Sequence, residues 1–109
     1  MDYYEKSDLA RFPEIGKDAP ALADAFFAWY GKVFDEGALT KREKALIALA
    51  VAHAVQCPYC IDAYTTESLA QGSDTAEMTE AVHVAAAIKG GSALVHGIQM
   101  RKKADGISM

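Results

Sequence analysis

The sequence predicts an all-α domain, on three observations. Apolar residues recur at the three- and four-residue spacing of a helix face in one segment after another. Helix-start signals precede these segments: Pro20, Thr40 with Glu43, Pro58, and Ser73-Asp74 with Glu77. No segment of consequence shows strand alternation, and there is no internal repeat. The 109 residues, 51% of them hydrophobic, suit one ordered domain over residues 1–109.

Residues 1–17 are polar and aromatic without clear periodicity. They read as an arm wrapped over the core or over a neighbouring subunit, with Tyr3 and Tyr4 able to cover a site. Asp18-Ala19-Pro20 opens the first helix, because proline is tolerated in a first turn where its missing N–H has no partner to lose. Leu22, Phe26, Trp29, Tyr30 and Val33 mark its expected buried stripe, and Gly37 ends the region.

Thr40-Lys41-Arg42-Glu43 matches a capping box and starts a second helix to about Gln56. Ala45–Val55 is apolar nearly all round, the pattern of a central, buried helix. Pro58 disfavours helical backbone at Cys57 and can itself begin a third helix, to about Gln71, with Gly72 as its C-terminal cap. A fourth helix starts at Ser73-Asp74 and is expected to break or kink at Gly90-Gly91. A last segment carries Leu94, Val95, Ile98 and Met100 and ends in Arg101-Lys102-Lys103, and residues 104–109 are expected to fray. Met78 and Met100 suit core or interface gaps. The density of alanine and of apolar surface in so short a chain predicts a homo-oligomer.

The net charge of −4 and the lack of a basic run longer than Arg101-Lys102-Lys103 argue against nucleic-acid binding. The longest apolar run, Ala45–Val55, is broken by His53 and falls short of the roughly 20 residues that span a bilayer. Met1-Asp2-Tyr3-Tyr4-Glu5 lacks a signal-peptide pattern, so the expected location is the cytoplasm, with no membrane association. No glycine-rich phosphate loop is present, and no cofactor is expected.

The only two cysteines stand at Cys57-Pro58-Tyr59-Cys60. Cys57 falls at the N-cap of the third helix and Cys60 at its third position. There, unpaired N–H groups and the helix dipole lower a thiol pKa. A bond across so short a loop barely constrains the unfolded chain, and a reducing compartment disfavours a structural disulfide. Thiol redox chemistry is the first reading: a sulfenic acid on one sulfur condensing with the other, or exchange with a substrate disulfide. A closed zinc site needs four ligands where this chain offers one Cys-x-x-Cys pair, so no metal is expected. Two thiolates could still hold a soft ion such as arsenite or copper(I).

A capped apolar helix, Cys-x-x-Cys, a following helix and an Ala-rich helix with Gly90-Gly91 together resemble the carboxymuconolactone decarboxylase and AhpD-like alkylhydroperoxidase family over about residues 20–100. Gly37-Ala38-Leu39-Thr40, Cys57-Pro58-Tyr59-Cys60-Ile61-Asp62-Ala63-Tyr64 and Ile88-Lys89-Gly90-Gly91 further resemble small peroxidase-like proteins associated with arsenosugar biosynthesis. The resemblance implies an all-α AhpD-like fold assembling as trimers or hexamers. It also implies reduction of a peroxide or disulfide substrate, with Cys60 attacking, Cys57 resolving and a dithiol protein as reductant.

Three positions depart from the family's proton relay. Ala45 stands where a glutamate is usual, and Tyr59 and Tyr64 where histidines are. Nearby Glu43 faces elsewhere on the helix and is better explained by its capping box. Tyr64 lies one turn from Cys60 on the same face, but a phenol is a poor base at neutral pH. His53 has two readings: a side chain satisfied by a backbone carbonyl, or the replacement for the relay. His83 and His96 read as packing or interface residues. The candidate catalytic set is therefore Cys60, Cys57, His53 and Tyr64. The rival functions are a soft-ion or arsenical binding protein without turnover, and a lactone decarboxylase, for which no Cys-x-x-Cys is needed.

Overall fold

A computed structural model describes residues 4–108. Its helices are α1 (Ser7–Ala10), α2 (Pro20–Phe34), α3 (Lys41–Ala54), α4 (Pro58–Ala70) and α5 (Thr75–Ser108), with a 3-10 turn over Phe12–Gly16 between the first two. No strand occurs among the described residues. Tyr3 and Met109 lie outside them.

Local chemistry sets the helix ends. Thr40 caps α3 in a complete capping box: its hydroxyl accepts from the Glu43 N–H at 3.1 Å, and the Glu43 carboxylate accepts from the Thr40 N–H at 2.9 Å. Asp74 and Glu77 exchange the same pair of bonds before α5, at 2.8 and 3.0 Å. Glu77 also pairs with Arg42, tying the starts of α3 and α5 together. Lysines close two C-termini. Lys44 donates to the carbonyls of Val33 and Asp35 after α2, and Lys89 to the Ala54 carbonyl at 2.9 Å.

Helices α3 and α4 end in the same hydrogen-bond pattern with different residues. After α4, Gly72 has φ +89° while Gly72 N–H reaches Leu69 and Ser73 N–H reaches Ser68. After α3, Gln56 occupies the left-handed position at φ +57°, Gln56 N–H reaches His53, and Cys57 N–H reaches Ala52 at 3.0 Å. Both are Schellman closures. The one after α3 uses a residue that pays a steric cost in that conformation.

The core lies where α3 meets α4 on one side and α5 on the other. Ala45, Leu49, Ala52, Met78 and Ala85 are its buried apolar residues. The 3-10 turn packs against α2 so closely that a Cβ on Gly16 would lie 2.8 Å from that of Ala23. Phe12 sets its ring edge-on to Phe27, with centroids 5.0 Å apart.

Several expectations need correction. Gly90-Gly91 does not interrupt α5, which runs unbroken through the segment expected to fray, as far as Ser108. Glycine lowers helix propensity by about 1 kcal/mol but keeps its N–H, so it weakens the hydrogen-bond ladder without cutting it as proline would. The apolar stripe of α2 is not buried: Leu22 is 75% and Trp29 62% exposed, and Phe26 and Val33 are exposed as well. Nor is α3 buried all round, since Ile47, Val51 and Val55 face outward. Of the two methionines expected in core or interface gaps, Met78 fills the core and Met100 lies on the surface of the single chain.

The radius of gyration, 18.7 Å, exceeds the roughly 13 Å of a packed domain this size. The reason is α5, whose second half projects beyond the core with Leu94 at 81% exposure. This helix is also long and apolar enough, by length and composition alone, to cross a membrane. A break at Gly90-Gly91 would have left two shorter segments, and its absence is what gives α5 this length.

Candidate functional site

The turn at Gln56 delivers Cys57 to the N-cap of α4 in extended backbone, at φ −104° and ψ 99°. Its sulfur accepts a hydrogen bond from the Cys60 N–H at 3.2 Å. Pro58, at the start of α4, has no N–H to leave unpaired. The structure holds Cys57 and Cys60 as a disulfide, with Cα atoms 5.2 Å apart. Reduced, the same geometry aims a first-turn N–H and the positive helix end at Cys57, which favours its thiolate.

Cys60 stands between two cavities. One, of about 430 Å³, opens between α2, α3 and α4. Its wall is almost wholly apolar, including Val33, Leu39, Ile47, Val51 and Val55. The other, of about 340 Å³, lies beneath the N-terminal arm and is lined by Asp8, Leu9, Phe12, Cys57 and Tyr59 as well as Cys60. Cys57 lines the second and not the first. Tyr30 and Tyr64 border both.

The hydroxyls of Tyr30 and Tyr64 hydrogen-bond to each other, and the Tyr64 ring stacks on Phe34 with centroids 5.1 Å apart. Burial, followed by the bond to Tyr30, pushes the Tyr64 phenol well above its usual range. Tyr64 therefore stays protonated at neutral pH and can donate a hydrogen bond but not act as a base. Ala45 lies in a third cavity, of about 500 Å³, beside Tyr64. The carboxylates there are Glu67, from the following helix, and Asp35, just after α2. Glu43 is engaged with Thr40, whose N–H and hydroxyl hold its carboxyl below the ordinary range.

The structure thus brings Cys57, Cys60 and Tyr64 together and leaves His53 apart. His53 Nδ1 lies 2.8 Å from the Leu49 carbonyl, and the ring lines a different cavity with Val82, Ala85 and Lys89 against α5. The ring thus has the backbone-carbonyl partner that one of its two readings expects. His96 likewise sits 2.6 Å from the Ser92 carbonyl. No group of three or more His, Cys, Asp or Glu side chains gathers to hold a metal among the described residues.

Helical spacing puts Tyr30 in an expected buried stripe, and nothing local in the sequence marks Asp8 or Asp62. Tyr30 proves to be Tyr64's partner. Tyr59 donates to Asp8 at 3.1 Å and Tyr4 to Asp62 at 2.9 Å, so Tyr4 does lie over the motif. The Asp8 bond in turn raises the half-buried Tyr59 phenol's pKa. Pairings across 34 to 58 residues carry no local signal that could have revealed them.

Residues 20–102 match the pattern of the carboxymuconolactone decarboxylase family. The chain is 40% identical, over 87 residues, to uncharacterized protein 4 in the cox locus of Paracoccus denitrificans, an alignment covering 80% of this chain and 78% of that one. A solved structure of a protein from Methanobacterium thermoautotrophicum superposes with a TM-score of 0.74 at 37% identity, covering 77% of this chain and 94% of that one. The apo form of a carboxymuconolactone decarboxylase family protein from Legionella pneumophila superposes at 0.69 with 30% identity, covering 84% and 81%.

Proposed function

This chain belongs to the carboxymuconolactone decarboxylase family, and on that footing we propose that it is a thiol-dependent oxidoreductase: a peroxidase, or a disulfide reductase using the same pair. The observation that carries the reading is the Cys57–Cys60 disulfide at the start of α4, with Cys60 reached from two cavities.

In the peroxidase cycle the Cys60 thiolate attacks the terminal oxygen of a hydroperoxide. The O–O bond breaks, Cys60 becomes a sulfenic acid, and the alkoxide leaves as an alcohol once it takes up a proton. The Cys57 thiolate, favoured by the Cys60 N–H, then attacks the Cys60 sulfur. A disulfide forms and hydroxide leaves, becoming water with one more proton. A dithiol returns the pair to the reduced state by exchange. Tyr64 is assigned the role of hydrogen-bond donor beside Cys60, positioned by Tyr30. Such cycling suits a reducing compartment, and we place the protein in the cytoplasm.

The decisive measurement is peroxide consumption, with a dithiol supplied, by the wild type, Cys57→Ser and Cys60→Ser. Loss of turnover in both variants supports the reading, and equal rates in all three overturn it. A double Cys→Ser variant that retains lactone decarboxylation would promote that activity instead.

A second reading has its own observation. The two cavities at Cys60 carry one carboxylate, Asp8, and no imidazole to act as a base. A reduced pair so placed also suits a soft ion such as arsenite. Calorimetry with arsenite on the reduced protein tests it, and heat independent of both thiols removes it.

We also assign the exposed apolar faces of α2 and α5 to contacts with further copies of the chain, because isolated in water they leave Leu22, Trp29 and Leu94 uncovered.

A further inference from the structure

We propose that the N-terminal arm selects the reductant, admitting a small uncharged dithiol to Cys57 and excluding a dithiol protein. The inference rests on the thiol-redox reading above.

The arm lies outside the part of the chain that matches the family, which begins at residue 20. It is nevertheless fastened across the motif at two points. Tyr4 on the arm donates to Asp62 on α4, and Tyr59, inside the motif, donates back to Asp8 on the arm. The Tyr4 and Tyr59 rings meet edge-to-face with centroids 5.0 Å apart, so the two fastenings brace each other. Behind them Phe12 is packed against Phe27 on α2.

The consequence falls on Cys57. Cys57 lines the cavity of about 340 Å³ whose arm-side wall is Asp8, Leu9 and Phe12. That volume lies at the small end of the range for small-molecule sites. A protein dithiol must bring its own backbone surface up to the disulfide, and Asp8, Leu9 and Phe12 of the arm wall one side of that approach. The Asp8 carboxylate adds a charge criterion, since it repels a reductant that carries further anionic groups more strongly than one whose only charge is the attacking thiolate.

The exchange balances without another reactant. One thiolate of the dithiol attacks the Cys57 sulfur, the Cys57–Cys60 bond breaks, and Cys60 leaves as a thiolate and takes up a proton. The second thiolate of the reductant attacks the reductant sulfur of the mixed disulfide. The oxidised reductant departs as a cyclic disulfide, and Cys57 takes up the other proton.

The experiment measures initial rates of disulfide reduction in the full chain with dithiothreitol and with excess reduced thioredoxin at pH 7, by thiol labelling and mass spectrometry. Thioredoxin's thiol, with a pKa of about 7, is half thiolate at that pH, whereas an ordinary thiol near 8.5 is only a few per cent thiolate. An open disulfide should therefore react faster with thioredoxin. In the wild type we expect the reverse order. In the Tyr4→Phe/Tyr59→Phe double variant, which keeps both rings and removes both fastenings, the thioredoxin-to-dithiothreitol ratio should rise at least about tenfold, with a smaller rise for Tyr59→Phe alone.

A wild type reduced faster by thioredoxin overturns the proposal, even if the double variant does not fold. A ratio that the folded double variant leaves unmoved also overturns it. If neither reductant opens the bond, the thiol-redox reading fails and the arm's role falls with it. If both open it with thioredoxin ahead, the arm's role alone fails.

Discussion

Tyr30 on α2 and Tyr64 on α4 share a hydrogen bond between their hydroxyls and together border both cavities that reach Cys60. The pair joins two helices that otherwise meet mainly through α3, and it sets a half-buried phenol at the walls of the cavities that reach Cys60. We expect Tyr64→Phe to keep the stacking on Phe34 and to cost about 1 kcal/mol of stability, the typical net worth of one hydrogen bond. Peroxide turnover should fall several-fold without vanishing, while Tyr30→Phe, which acts only through Tyr64, should do so less. Urea unfolding beside steady-state assays checks both.

The same bond has a pH signature. Tyr64 holds its proton more tightly in the folded chain than the ordinary phenol value of 10.0. The stability it contributes is therefore complete below pH 10 and is lost as pH rises through its folded pKa. The difference in urea midpoint between wild type and Tyr64→Phe should be constant from pH 7 to 9 and shrink on the alkaline side of 10. A difference that instead changes between pH 5 and 7 would assign the effect to another group.

Mass spectrometry with a sulfenic-acid trap separates the two cysteines. Cys57→Ser treated with peroxide should accumulate trapped sulfenic acid on Cys60, because the resolving thiol is gone. Cys60→Ser should trap little on Cys57, which lines the arm-side cavity and not the apolar one between α2, α3 and α4. The opposite pattern would exchange the roles of attacking and resolving thiol.

His53→Gln should retain most of the turnover, because the ring is held at the Leu49 carbonyl and faces α5. Leu49→Ala, by contrast, should lose about 2–5 kcal/mol of stability, since that side chain is 2% exposed at the heart of the α3–α4–α5 core. Thermal unfolding read beside the peroxide assay distinguishes a stability loss from a catalytic one.

Gln56 and Gly72 sit at equivalent positions of two helix ends, yet only glycine is at ease there. Gln56→Gly should be neutral or stabilising by up to about 1 kcal/mol, and Gly72→Val destabilising by at least about that much. Because Gln56 also orients Cys57, a shift in the reduction potential of the pair in Gln56→Gly would show that this strained turn is felt at the sulfurs.

If further copies cover α5, Leu94→Glu should shift the sedimentation coefficient toward a smaller species while α3 and α4 keep their helical signal. An unchanged coefficient would leave that face for another partner.

What the sequence determined by itself was local. Thr40 with Glu43, Asp74 with Glu77, Pro20, Pro58 and Gly72 each act within a turn of themselves, and the helix ends they predict are the ones observed. The pairing of Cys57 with Cys60 was legible for the same reason, the two being three residues apart. Tertiary structure decided what depends on which surfaces meet. The helical periodicity of α2 did not reveal that its apolar stripe lies open, because a helix face looks the same in sequence whether this chain or another covers it. Gly90-Gly91 weakens a helix without forcing a break, so the continuity of α5 could not be read from composition. The Tyr30–Tyr64 bond and the arm's hold on Asp62 and Tyr59 join residues far apart in the chain, and only folding brings them together.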